Sequence, residues 1–225
     1  DLHLSIRRQR QLCIRLRYIG DSIIALFDRS PEDAVHTSVK MLNALRVYNK
    51  ERIQEGNNPI LIGIGVNTGK MMLGTLGESD RMEGSVISDA VNLAARLEGL
   101  TKLYKTPLLL SEETLLKIGD SIFDTRLIDK VAVKGKENPV MVYEVLNGES
   151  SDLRDAKVST LPKFKKGFEL YQNQQFENAL ELFRTCIEKV PEDGVAGLYI
   201  ERCKKLISSG WDTETWDGIN YMDAK

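Results

Sequence analysis

An asparagine and an arginine lie four positions apart, Asn92 and Arg96, in the apolar stretch VISDAVNLAARLE of residues 86–98. Four residues are about one helical turn, so a helix here puts both on one face. One account is that positions 88, 92 and 96 are the wet stripe of a half-buried helix. The other is chemical, because a guanidinium is a planar fork of donors that matches phosphate oxygens. Asp21, after Gly20 in RYIGDSIIALF, is equally double-valued. It is either a turn residue or a hard carboxylate held where a magnesium ion sharing substrate phosphates could use it. Arg81, in the polar loop ESDRMEG, and Lys134, in VKGKEN, are solvated loop charges or, with Arg96, a clamp for a triphosphate.

The elements that must position these groups follow from periodicity. Two short apolar strands flank Gly20-Asp21 as a hairpin. Pro31 opens an amphipathic helix through about Gln54, with Ala34, Val35, Val39, Leu42, Leu45 and Val47 near one face. ILIGIGVNTG and KMMLGTLG read as β-runs joined in a second hairpin near Thr68-Gly69, with Asn67 and Thr68 as turn residues. Ser88 or Asp89 caps the helix that carries Asn92 and Arg96. PLLLS is a buried strand, Ser111 starts a short helix, and RLIDKVAVKGKENPVMVYEV is a closing hairpin turning near residues 135–139. Irregular alternation with adjacent hairpins predicts an α+β fold, a sandwich rather than a doubly wound parallel sheet. Residues 1–148 form this domain and 149–159 a polar linker. Residues 160–193 then fit the tetratricopeptide template of about 34 residues, with Gly167, Ala179, Phe183 and Pro191 at its diagnostic places, and a further helix spans about 195–208. One such repeat cannot bury its own face, so the helices of 160–225 must dock on the main domain or on a partner. The tail's tryptophans, Trp211 and Trp216, are expected to lie across a neighbour.

Bulk properties narrow the classes. The 225 residues are 42% hydrophobic and 28% charged, which suits an ordinary soluble protein with a sizeable core. Thirty-one basic and thirty-three acidic residues leave a net charge of -2, so no global field recruits nucleic acid or an anionic membrane. Arg7, Arg8, Arg10, Arg15 and Arg17 lack interleaved aromatics and read as a solvated run. Cys13, Cys186 and Cys203 have neither metal-site nor disulfide spacing, which fits a reducing, cytoplasmic setting. No apolar run reaches the roughly 18 residues a membrane helix needs, leaving membrane attachment to upstream parts of a longer protein. His3 and His36 are isolated and take no catalytic role.

GKMMLGTLGESDRMEGSVISDAVNLAARLE resembles the central motif of the class III adenylate and guanylate cyclases. RYIGDSIIALF is similar to that family's metal-binding hairpin, and VAVKGKENPVMVYEV to its closing strands. The resemblance runs collinearly over about residues 15–147, and three ordered motifs are far more specific than one glycine loop. It implies a ferredoxin-like nucleotide cyclase sandwich and an adenylate cyclase core that converts ATP to cyclic AMP and pyrophosphate in signal transduction. In the family, the asparagine matching Asn92 orients the ribose, and the arginine matching Arg96 stabilises the pentavalent α-phosphate. Lys134 and Arg81 then contact the triphosphate, and Asp21 holds Mg2+ or Mn2+. These groups meet across a head-to-tail homodimer. Arg17 and Ser85 occupy the base-selecting positions, where serine places the chain with the threonine/serine-type adenylate cyclases. Arginine departs from the usual lysine while keeping its charge. The family's two metal ions use two carboxylates, the first on an opening strand well upstream, whereas only twenty residues precede Asp21. That strand and the first helix are absent, so this chain alone is expected to be weakly active or inactive. The alternative reading is a catalytically dead cyclase-like module for dimerisation or nucleotide sensing, with a partner-binding helical tail.

Overall fold

The computed structural model describes residues 15–76, 83–87, 89–119, 122–132, 139–209 and 216–221. Its centre is a mixed five-stranded sheet of order β3-β6-β8-β7-β9, built from Ile64–Val66, Leu108–Ser111, Val140–Val145, Thr125–Ala132 and Asn220–Tyr221. β3 runs parallel to β6 and β9 parallel to β7, while β8 is antiparallel to both its neighbours. Two further hairpins are separate from it, β1–β2 (Arg15–Ile19 and Ser22–Leu26) and β4–β5 (Met72–Leu76 and Glu83–Ile87).

Both faces of the sheet are covered, which is why LLLS is an unbroken apolar run with every residue buried. Leu108 and Leu110 point to one face, where they join Val35 and Leu42 of helix α1 (Pro31–Gln54), Leu115 and Ile118 of helix α3 (Glu112–Ile118), and Phe123. Leu109, with Ile128, Val131 and Val142, points to the other face. There it meets Leu93, Leu97, Leu100 and Tyr104 of helix α2 (Asp89–Tyr104). Three further helices, α4 (Ser151–Gln172), α5 (Phe176–Lys189) and α6 (Gly194–Ser209), add Phe164, Phe168, Tyr171, Phe183, Tyr199 and Cys203 to the same cluster. The carboxy-terminal helices therefore share one core with the sheet. Trp216 completes the contact, edge-on to Tyr171 and Phe176, and its indole N–H donates to the Gln172 carbonyl at 3.4 Å.

Several predicted elements appear at the predicted places: the hairpin around Gly20, a helix from Pro31 to Gln54 capped by the Ser30 hydroxyl, and a helix capped by Ser111. Two expectations are corrected. β3 and β4 do not form a hairpin, because β3 bonds to β6 and β4 to β5. β-propensity makes both runs strands, but the choice of partner is made by burial, and β6 offers β3 a neighbour buried along its whole length. Asn67 and Thr68 consequently are not hairpin-turn residues. Residues 151–159, assigned to a linker, instead form the first turns of α4, whose start is capped by the Ser150 hydroxyl.

Candidate active site

Helix α2 is held against the sheet at close range. A Cβ built on Gly65 of β3 would lie 2.2 Å from the Ala94 carbonyl oxygen and 2.4 Å from the Glu98 nitrogen, so only glycine lets the helix backbone come this near. Leu93, Leu97, Leu100 and Tyr104 bury one stripe, spaced as a 3.6-residue period demands. The opposite side carries Asn92, Ala95, Arg96 and Gly99, all exposed. Asn92 and Arg96 thus share the outer face, as predicted. The first turn is pinned by Asn67, whose amide donates to the Ala90 carbonyl at 3.0 Å and whose oxygen accepts from the Ser111 hydroxyl at 2.6 Å. Thr68 and Thr114 hydroxyls meet at 3.1 Å beside it. These residues clamp β3, α2 and α3 together.

Asp21 is exposed in the two-residue β1–β2 turn, preceded by Gly20 at a φ of 61°. Arg17 is half-buried on β1 opposite Ile24, four residues from Asp21. Ser85 lies on β5, paired in register with Gly74. Arg81, Lys134, Ser88 and Trp211 lie outside the described residues. The structure therefore joins Asn92 to Arg96 on one helix and Arg17 to Asp21 on one hairpin. Among the described residues no three His, Cys, Asp or Glu side chains converge as a metal cluster. Asp21 supplies one carboxylate from an open turn, and that donor set does not fit a two-ion site.

Two buried polar clusters behind α2 were not foreseen. Fully buried Glu144 accepts from Arg126 Nε at 2.5 Å, Lys157 Nζ at 2.8 Å and the Thr106 hydroxyl at 2.9 Å. Arg126 also forks onto both oxygens of Asp193, each at 2.7 Å, and lies over the Phe164 ring. Burial by itself would raise the Glu144 pKa, but the charges of Arg126 and Lys157 outweigh it and hold the carboxyl below its ordinary range. Asp193 is depressed in the same way, burial being overcome by the Arg126 fork. Asp129, also fully buried, accepts from Tyr104 Oη, from Arg202 Nη1 at 2.7 Å, and from Asn220 Nδ2 at 2.6 and 2.8 Å. Burial, reinforced by the neighbouring Asp129, pushes the Tyr104 hydroxyl well above its usual pKa, so it stays a donor. The available sequence signal was a charge inside an apolar strand: Arg126 and Asp129 in RLIDKVA, and Glu144 in VMVYEV.

The sequence profile of the adenylate and guanylate cyclase catalytic domain matches residues 3–147. The chain belongs to this family. The chain is 43% identical over 136 residues to an adenylate cyclase of Anabaena cylindrica, covering 57% of this chain and 27% of that one. The terminal-differentiation specific adenylate cyclase of Dictyostelium discoideum is 38% identical over 200 residues, 86% of this chain and 9% of its own length. A match of that extent reaches past the cyclase domain into the helices that follow it. The chain thus spans less than a third of either relative's length. Among solved structures, the adenylyl cyclase from P. aeruginosa superimposes with a TM-score of 0.52 at 26% identity, covering 64% of this chain and 79% of the other. Among the described residues no helix is long and apolar enough to cross a membrane.

Proposed function

We propose that this chain is the core of an adenylate cyclase that converts ATP to cyclic AMP and pyrophosphate. The observation that carries the reading is the outer face of α2, where Asn92 and Arg96 stand one turn apart on a helix fixed by Gly65 and Asn67. Arg96 is aimed at charge that grows on the α-phosphate as the ribose 3′-hydroxyl attacks and pyrophosphate leaves. A guanidinium placed for the transition state accelerates the reaction rather than merely tightening binding. Asn92 orients the ribose, Lys134 and Arg81 contact the triphosphate, and Arg17 and Ser85 choose the base. Adenine is favoured because Arg17 keeps a positive charge where guanylate cyclases carry glutamate. The names of the two relatives point the same way.

Asp21 offers one contact to Mg2+ or Mn2+, and a second carboxylate has to come from elsewhere for a two-ion site. A site that holds metal through Asp21 alone is accordingly weakly active at best. The partner in the active assembly is a second copy, placed head to tail. In support, the β1–β2 hairpin presents Leu16, Tyr18 and Ile23 at 56%, 70% and 53% exposure, and Tyr18 and Ile23 face each other across the strands. The helices from residue 160 onward keep tetratricopeptide spacing, and their apolar face is turned onto the cyclase domain itself. A dead, nucleotide-sensing module is the second reading, favoured by a donor set in which Asp21 alone is assigned to metal.

The test is cyclic AMP production with manganese and ATP, by this chain and by one extended upstream to a second carboxylate. The extended protein should turn over, and Arg96→Ala should cut kcat at least about 100-fold while nucleotide still binds. Robust activity of the unextended chain would overturn the claim of a missing carboxylate. An extended protein that binds ATP without cyclising it would establish the sensing reading.

A further inference from the structure

Helix α2 is gripped at its far end by the carboxy-terminal helices, and the grip is polar as well as apolar. Asp129 sits on β7 where the register against β8 slips between Leu127 and Asp129, leaving a bulge. Into that bulge come Tyr104, the last residue of α2, and Arg202 and Tyr199 of α6, whose hydroxyl donates to the Ile128 carbonyl at 2.6 Å. Arg202 also lies over the Tyr104 and Tyr199 rings, and Asn220 of β9 adds its amide to Asp129. The start of α6 presses on the exit of α2, where a Cβ on Gly194 would lie 2.5 Å from the Lys105 Cβ. Thr106, just beyond, donates to Glu144, which Lys157 of α4 also holds. Asp129 and Glu144, which accept from Tyr104 and Thr106 at the end of α2, are therefore each held partly from the helical unit. Each of the two carboxylates is fully buried, where a lost partner leaves an unsolvated charge.

We infer that the α4–α6 unit is a brace for the α2 helix, with Arg202, Asp129 and Tyr104 acting as positioning residues for Arg96 and Asn92. This rests on the cyclase reading for its consequence in turnover, though the brace itself is a statement about α2. Arg96 precedes Tyr104 by two helical turns, about 12 Å of rigid helix. A shift or rotation where Tyr104 is anchored is carried along that length to the guanidinium. Misplacement of this kind weakens transition-state contact more than ground-state binding. The helical unit is then part of the cyclase rather than an appendage to it. The Dictyostelium relative, which matches beyond the cyclase domain, agrees with that.

The experiment uses the protein extended upstream as above, with Arg202→Met, Arg202→Lys and Tyr104→Phe compared with Leu180→Ala, which thins the α5 packing without touching the polar cluster. Variants are compared at temperatures that equalise their distance from the melting point. Manganese-ATP kinetics and hydrogen exchange of the peptide 89–104 are read on each. Arg202→Met and Tyr104→Phe should lower kcat about tenfold with KM within twofold, and speed exchange in residues 89–98 about tenfold. Arg202→Lys should recover most of both, since an ammonium still reaches one Asp129 oxygen, and Leu180→Ala should change neither. Equal effects from Leu180→Ala, or unaltered exchange in the Arg202 and Tyr104 variants, would overturn the brace. An extended wild-type protein without turnover counts against the cyclase reading alone, and the exchange of residues 89–98 then decides the brace.

Discussion

Glu144 is fully buried, and its charge is answered by Arg126, Lys157 and Thr106 in place of solvent. Such a cluster is weak evidence of extra stability, since apolar replacement of the whole often does as well, but removing one member strands the rest. Glu144→Ala should therefore cost about 3–5 kcal/mol, read as a lower urea midpoint. The folded pKa values of Glu144 and Asp193 lie below their ordinary values of 4.5 and 3.8. As the pH falls the unfolded chain takes up these protons first, so the stabilisation is complete above about pH 5 and is lost as the pH descends through the depressed folded values. Urea midpoints between pH 7 and pH 3 should fall steeply in the wild type and less so in Glu144→Gln. Lys157 has the opposite sign. Burial lowers its pKa, but Glu144 and Glu149 raise it further, so its contribution holds up to its ordinary value of 10.5 and fades only as the pH climbs through the raised folded value. These roles were only half legible in the sequence. A charge within RLIDKVA announces that something must neutralise it, yet Arg126 finds Asp193 sixty-seven residues away.

Helix α2 illustrates what an element inherits from its own residues and what it borrows. The stripe Leu93, Leu97, Leu100 and Tyr104 is written in the local spacing, and the outward placement of Asn92 and Arg96 follows from it. The depth at which the helix sits is borrowed from Gly65, whose hydrogen is the only substituent that fits beneath Ala94 and Glu98. Gly65→Ala should push the helix outward at a cost of about 1–3 kcal/mol, and in the active assembly should lower turnover beyond what lost stability explains. Leu97→Ala opens a hole beneath the same helix and should cost about 2–5 kcal/mol in thermal or denaturant unfolding. The β3 strand shows the limit of local reading. Its sequence made it a strand, but its parallel partner β6 lies more than forty residues on, and nothing in ILIGIGVNTG distinguishes that partner from the nearer KMMLGTLG.

At the scale of the molecule, one apolar cluster runs from α2 through the sheet into α4, α5 and α6. The helical unit and the cyclase domain should consequently melt in a single transition. Limited proteolysis that released residues 160–225 as a separately folded piece would contradict this. The thiols offer a second reading of the same point. Burial pushes Cys186 up to about 11 and Cys203 up to about 12, so both are protonated and shielded in the folded chain. Neither should react with iodoacetamide at neutral pH until the whole unfolds, as peptide mass analysis would record. A chain ending at Gly148 should be poorly soluble, because the apolar cluster that includes Leu93, Leu100, Ile128 and Val142 loses Phe164, Phe168, Tyr171 and Tyr199.

By itself the sequence determined the elements and the family: periodicity placed most of the helices and strands, and three motifs in order identified the cyclase domain. Both are written in short-range spacing, over which chain connectivity already restricts what residues can meet. Only the tertiary structure decided which strands pair, how far α2 sinks onto β3, and that the carboxy-terminal helices close over the end of that helix. Those outcomes depend on residues such as Asp129 and Arg202, seventy-three positions apart, whose meeting is chosen by burial and by the need to satisfy a charge away from water.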